Sequence, residues 1–261
     1  MKTECLLDVR SACRRYKNRT RSVAALNDVS LTLERGEILG VVGRSGCGKS
    51  TLLRHIACLE KLTSGQIRLD GRDVTSARPA DVCRRVQMIF QNAAASFDPR
   101  MTLRDSLLET FRLLGEGAVA RERLGALLRE VGLGEETVAC YPHQVSGGQC
   151  QRAAIVRALA ADPPLLLCDE ITSALDVSSQ AQIVRLIARL RRRRNCAVLF
   201  VSHDLALVAC LCDRIVVMQD GRIAEEGTPR QIAQSPRAEC TKKLLASVLT
   251  LDALERRNDK N

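Results

Sequence analysis

Two short, widely separated segments have residue types and spacing suited to holding phosphate. Gly43-Arg44-Ser45-Gly46-Cys47-Gly48-Lys49-Ser50-Thr51 has the glycine, lysine and hydroxyl pattern of a phosphate-binding loop. Its glycines let a tight turn aim successive backbone N–H groups at phosphate oxygens, while the lysine adds a cation and the hydroxyl a metal ligand. Val145-Ser146-Gly147-Gly148-Gln149 is a second glycine-rich turn placed to open a helix, whose N-terminus also favours anions. One nucleotide does not need two such cradles from one small domain. One cradle is therefore expected to hold ATP, and the other to close on ATP bound to a partner subunit.

The remaining donors and acids fall where such a site needs them. Lys49 is expected to reach the β- and γ-phosphates and Ser50 to ligate Mg²⁺, with backbone N–H groups from Gly46 to Thr51 on the phosphate oxygens. Asp169 and Glu170 follow an apolar run that reads as a buried strand, where a carboxylate pair is otherwise costly. Asp169 suits the metal, and Glu170 suits the water that attacks the γ-phosphate. His203 follows the next strand and would end on the same sheet edge, in reach of the γ-phosphate. Gln91 also stands at a strand end and can touch Mg²⁺ or water through its amide.

Elements that position these groups can be traced by period. Val29, Leu31 and Leu33 alternate as one face of a strand, and Glu37–Val42 is a β-rich run feeding the loop and an apolar helix over Lys49–Leu59. Gln66–Leu69 before Asp70-Gly71, and Arg214–Met218 before Asp220-Gly221, read as hairpins. Val86–Phe90, Leu165–Cys168 and Ala197–Val201 read as core strands, with helices from about Thr102 to Ala161 and over Val177–Arg193. The tail after Gly227 reads as helical. This alternation predicts an α/β fold whose largely parallel sheet is covered on both faces.

Bulk properties narrow the class. A chain of 261 residues can bury a real core, and its 46% apolar and 27% charged content is that of a globular protein. The net charge of +10 fits nucleic acid, anionic lipid or polyphosphate. Aromatics at 2% offer few platforms for bases, so no direct nucleic-acid partner is expected, and the run Arg191–Arg194 reads as a solvated helix end. No apolar run of about 18 residues or more is present, so no span is expected, and Met1-Lys2-Thr3-Glu4-Cys5 precedes no secretory apolar stretch. Twelve cysteines along such a chain fall below the density of a disulfide scaffold. Cys210 and Cys212 near His203 supply too few spaced ligands for structural zinc and read as buried small hydrophobes.

Taken together, these segments resemble the nucleotide-binding subunit of an ATP-binding-cassette transporter over nearly the whole chain. Gly43–Thr51 matches Walker A, Leu165–Glu170 resembles Walker B with its glutamate, and Val145–Gln149 resembles the family signature with Val for the usual Leu. Ser173-Ala174-Leu175-Asp176 looks like the D-loop, Gln91 like the Q-loop glutamine and His203 like the switch histidine. The resemblance implies a P-loop NTPase fold with a mostly parallel core sheet, an N-terminal antiparallel β subdomain and an inserted α-helical subdomain. It implies one domain over 1–261, the insert at roughly 92–161 and a C-terminal helical tail from roughly 228. ATP would be held by Gly43 to Thr51, with Tyr16 on the adenine and Ser146, Gly147, Gly148, Gln149 and Asp176 completing a partner's site. Mg²⁺ would take Ser50, Gln91 and Asp169, and Glu170, His203, Gln91 and Lys49 would carry hydrolysis.

Phe90-Gln91 through Ser96-Phe97-Asp98-Pro99-Arg100 resembles the dipeptide, oligopeptide and nickel importer branch. Ala93 and Ala94 depart from its pattern, as does Ala238-Glu239-Cys240-Thr241, and a cysteine- and proline-rich tail is absent. These departures lean towards nickel or a metal chelate over peptide. Such a subunit would sit at the cytoplasmic membrane face with a second cassette, more readily a sister than a copy. Two permease subunits and an extracytoplasmic solute-binding protein would complete the assembly. The rivals are a cassette ATPase acting on DNA or ribosomes, which usually carries two cassettes or long coiled coils, and a regulatory pseudo-ATPase, opposed by intact Glu170 and His203.

Overall fold

The computed structural model describes residues 4–17 and 22–246. Two long strands, β1 (Cys5–Lys17) and β2 (Ser22–Glu34), pair antiparallel, and Val29, Leu31 and Leu33 of β2 are buried between exposed neighbours. β1 is not anticipated from the sequence. Adjacent Leu6 and Leu7 are both buried, and bulges with Ser11 at φ 45° break its period of two.

β3 (Ile38–Val42) is buried at every residue and leads through the phosphate loop into α1 (Lys49–Ile56). This helix stops short of the expected Leu59, because Ala57 caps it and Cys58 turns to φ 56°. β4 (Ser64–Leu69) and β5 (Arg72–Asp73) form the expected hairpin, with Asp70 and Gly71 at φ 52° and 72° as a mirror-type turn requires. A short helix, α2 (Pro79–Val82), precedes β6 (Val86–Ile89). Four helices follow without a strand: α3 (Leu103–Leu113), α4 (Ala120–Val131), α5 (Glu135–Val138) and α6 (Gly147–Leu159). The chain then alternates through β7 (Leu165–Asp169), α7 (Val177–Arg194), β8 (Ala197–Ser202) and α8 (Leu205–Leu211). It closes with β9 (Arg214–Gln219), β10 (Arg222–Gly227) and α9 (Pro229–Gln234), and is helical again over 239–246. The expected tail after 246 lies outside the described residues.

The strands form two sheets. One is antiparallel, in the order β2-β1-β4-β5; the other runs β10-β9-β3-β8-β7-β6 and is parallel except for the β10 edge. Each central strand feeds two cores because successive side chains point to opposite faces. Leu165 and Leu167 pack towards the antiparallel sheet with Leu52 and Leu53 of α1, while Leu166 and Cys168 pack towards α6 and α7. That is why β7 reads as unbroken apolar sequence, each buried leucine contributing about 1.5–3 kcal/mol. Gly40 of β3 faces α8, and a Cβ there would lie 2.2 Å from Val208 Cγ1. Only a glycine lets α8 lie this close.

The arginine run ending α7 is not simply solvated. Arg191 pairs with Asp213 at 2.8 Å, and Arg194 with Glu130 and Asp162 at 2.6 Å each. Cys212 is buried as expected but Cys210 is exposed: Cys210 sits at an open position of α8, whereas Cys212 is the extended residue that ends the helix, packed beside Gly40 of β3. No helix among the described residues is long and apolar enough to cross a membrane.

Candidate active site

The parallel order β3-β8-β7-β6 brings four strand ends to one edge: the phosphate loop, His203, the Asp169–Glu170 pair and Gln91. Gly48 turns at φ 108°, and a Cβ on it would meet the Ala25 carbonyl at 2.3 Å. Gly46, at φ 81°, has no heavy atom within 4 Å of such a Cβ and leaves the loop's mouth open. A cleft of about 300 Å³ lies there, walled by Ser45, Gly46, Gly48, Lys49, Ser50 and Thr51 on one side and by Gln91 and Glu170 on the other. Arg44 and Cys47 line the back of the loop instead, facing Glu239 and Cys240.

Lys49 is only 4% exposed. Its Nζ donates to the Gly43 carbonyl at 2.8 Å and the Arg44 carbonyl at 3.2 Å, and lies 3.4 Å from Glu170 Oε1. The loop thus holds its own lysine over the cleft floor. Ser50, one residue on in α1, donates from Oγ to Asp169 Oδ1 at 2.8 Å.

Asp169 is buried, and that burial pushes its carboxyl above the ordinary 3.8, with the Ser50 bond pulling the other way. The charged form is therefore penalised in the folded chain. Stability tied to this group is full below pH 3.8 and falls as pH rises through the raised value. Without metal, Asp169→Asn is expected to melt higher than the parent at neutral pH, the gap closing as pH falls towards 3.8. Thermal unfolding across pH checks this; a variant that melts lower throughout contradicts it.

Glu170 is the hub. Its backbone turns left-handed at φ 47°, a conformation that costs a non-glycine residue about 1–3 kcal/mol, while its N–H stays bonded to the Val201 carbonyl at 3.1 Å. Around its carboxylate stand Lys49 Nζ, Gln91 Nε2 at 3.4 Å and His203 Nδ1 at 3.5 Å. Gln91 also donates to Ser173 Oγ at 3.1 Å, and Ser173 returns a bond to the Glu170 carbonyl at 2.9 Å. His203 is 60% exposed and free to meet a ligand. Arg54, which also lines the cleft, escaped the sequence reading. The available signal was its place one helical turn beyond Ser50.

The second cradle opens α6. Ser146 Oγ accepts from the Gln149 N–H at 3.3 Å, and Gln149 Oε1 accepts from the Ser146 N–H at 2.9 Å, a reciprocal cap. A Cβ on Gly147 would touch Leu175 at 3.4 Å, and one on Gly148 would touch Ser179 at 3.3 Å, so the turn sits against the start of α7. None of residues 145–149 lines the cleft of the same chain. Asp176 caps α7, accepting from Ser179 N at 2.9 Å and Ser179 Oγ at 2.7 Å; the Ser179 backbone bond holds its carboxyl below the usual range. Tyr16 is not brought to the cleft wall either. Its hydroxyl bonds to Glu60, and the Arg14 guanidinium lies 4.5 Å over its ring.

Comparison with known proteins shows the family. A family model described as ABC transporter matches residues 26–173. The oligopeptide transport ATP-binding protein OppF of Salmonella typhimurium is 43% identical over 248 residues, covering 92% of this chain and 74% of that protein. Its namesake in Lactococcus lactis is 41% identical over 248 residues, covering 93% of this chain and 78% of that protein. Among solved structures, the dimeric ATP-binding cassette MJ0796, in a post-hydrolysis state bound to ADP and Pi, superposes with a TM-score of 0.77 at 29% identity. It covers 86% of this chain and 99% of its own. A glutamate ringed by lysine, glutamine and histidine beside a phosphate loop thus has a family context, and the chain belongs to the ABC transporter family as an ATP-binding, ATP-hydrolysing cassette.

Proposed function

We propose that this cassette drives import of di- or oligopeptides, working at the cytoplasmic face of the cell membrane. Its partners would be a sister cassette, two permease subunits and an extracytoplasmic solute-binding protein. The relatives named for oligopeptide transport favour peptide over the nickel-type cargo to which the segment after Gln91 leans. The insert at roughly 92–161 would dock on the permeases, within one domain that ends in the tail from roughly 228.

The observation that carries the mechanism is the convergence of Lys49, Gln91 and His203 on Glu170, with the Ser146 turn outside the cleft. ATP would lie with its phosphates along Gly43 to Thr51, the backbone N–H groups of Gly46 to Thr51 and Lys49 Nζ meeting their oxygens. Ser50, Asp169 and Gln91 would hold Mg²⁺. The buried Asp169 carboxylate bonded to Ser50 Oγ fits such an ion, which when bound would neutralise phosphate charge. Glu170 would take the proton of the attacking water as the β–γ phosphoanhydride breaks to ADP and phosphate, with His203 steadying the γ-phosphate. Ser146, Gly147, Gly148 and Gln149 would close on the sister's nucleotide, with the capped Asp176 holding the adjoining turn. Tyr16, which stands apart from the phosphate cleft, would stack on the adenine.

The test is reconstitution with the co-encoded permeases and binding protein in vesicles. Peptide-dependent ATP hydrolysis and peptide uptake are expected. Stimulation by nickel but not by peptide would overturn the cargo assignment.

A further inference from the structure

Arg157 lies on α6, about 16 Å along the helix from Ser146 at 1.5 Å per residue. Its Nη1 donates to the Ser96 carbonyl at 2.5 Å and its Nη2 to the Ser96 hydroxyl at 2.7 Å. The guanidinium carbon sits 4.3 Å over the Phe97 ring centroid. Ser96 Oγ passes the contact on, donating to the Ala93 carbonyl at 2.6 Å, and Asn92 Oδ1 accepts from Ala95 N at 3.0 Å. Ala93 and Phe97 are buried in the same core as α6. The stretch 92–97 is therefore a tight turn with one arginine as its clasp.

Among the described residues no carboxylate pairs with that arginine, and burial pulls its guanidinium below the usual arginine range. A half-buried cation held only by a carbonyl, a hydroxyl and a ring adds little net stability. It does fix geometry, because the planar fork fits one placement of Ser96. The clasped turn begins next to Gln91, whose amide contacts Glu170 and Ser173 at the cleft. The helix carrying Arg157 begins at Ser146.

We propose that Arg157 is a positioning residue that clamps the Gln91–Phe97 segment onto α6, holding Gln91 at one nucleotide and Ser146 at the sister's nucleotide in a single register. This rests on the shared-site reading above. Neither Arg157 nor Ser96 lines the cleft of its own chain, so their contact acts through the placement of Gln91, on turnover more than on nucleotide affinity.

The experiment measures kcat, KM for ATP and Tm for the assembled complex carrying Arg157→Gln, Arg157→Lys, Ser96→Ala or the Arg157→Gln/Ser96→Ala pair. Arg157→Gln is expected to lower kcat by about tenfold with KM for ATP within about twofold, the signature of misplacement without lost binding. Tm should change little, because among the described residues the lost cation leaves no partner charge behind. Arg157→Lys, which keeps the charge over Phe97, should recover part of kcat. The double variant should be no slower than Arg157→Gln alone, since both changes break one contact. Unchanged kcat in Arg157→Gln overturns the clamp, as does a kcat loss that only tracks loss of folded protein. If Arg157→Gln does not fold, Ser96→Ala decides: a few-fold fall in kcat at constant KM supports the clamp, and parental kcat overturns it. Parental complex that turns over without its sister cassette would sink the shared site itself, a separate outcome read in the same series.

Discussion

Glu170→Gln is expected to bind ATP as tightly as the parent and to hydrolyse it roughly 10²–10⁴-fold more slowly, the range for loss of a general base. The substitution keeps the side chain's shape, so the contacts with Gln91 and His203 persist as hydrogen-bond geometry. What disappears is the negative charge beside Lys49, carried by a carboxylate on the cleft wall. Less negative charge beside the phosphates cannot weaken their binding. Nucleotide affinity measured by equilibrium binding, alongside steady-state hydrolysis, separates the two effects. Hydrolysis near the parental rate would remove Glu170 from its assigned role.

Ser146→Arg carries the second large effect. Ser146 is exposed, caps α6 and lies outside its own chain's cleft, so the isolated subunit should fold and bind nucleotide as before. Loss of the cap costs about 1 kcal/mol, tolerable for a domain of this size. In the assembled complex the arginine's bulk would stand where the sister's γ-phosphate must come, and hydrolysis at that site should fall by at least about 10²-fold. The contrast between intact binding in the subunit and lost turnover in the complex is the readout. Normal turnover in the complex would contradict a site built from two chains.

The candidate site was legible in the sequence because its parts carry local signals. The phosphate loop announces itself by glycine and lysine spacing, and β7 by an apolar run that ends abruptly in two acids. Parallel topology then puts His203 and Gln91 on the same edge without further information. Parts that depend on long-range contact were not legible. β1 is held by β2 and β4 on either side, and its bulges erase the alternation that would have marked it. α8 is too short for a clear helical period; what fixes it is the missing side chain of Gly40 beneath Val208. The left-handed turn at Glu170 leaves no trace in residue type, since glutamate rarely adopts it. The arginines ending α7 read as solvent-facing because Asp162, Asp213 and Glu130 come from other elements.

On this mechanism turnover needs two cassettes, each giving half of a pocket. Hydrolysis per subunit measured across a wide concentration range, while sedimentation reports the fraction of dimer, separates a shared pocket from a self-sufficient one. Specific activity is expected to fall to background as the cassette becomes monomeric and to return when the sister is added. A subunit that stays monomeric and hydrolyses ATP at the full rate of the assembled complex would contradict it.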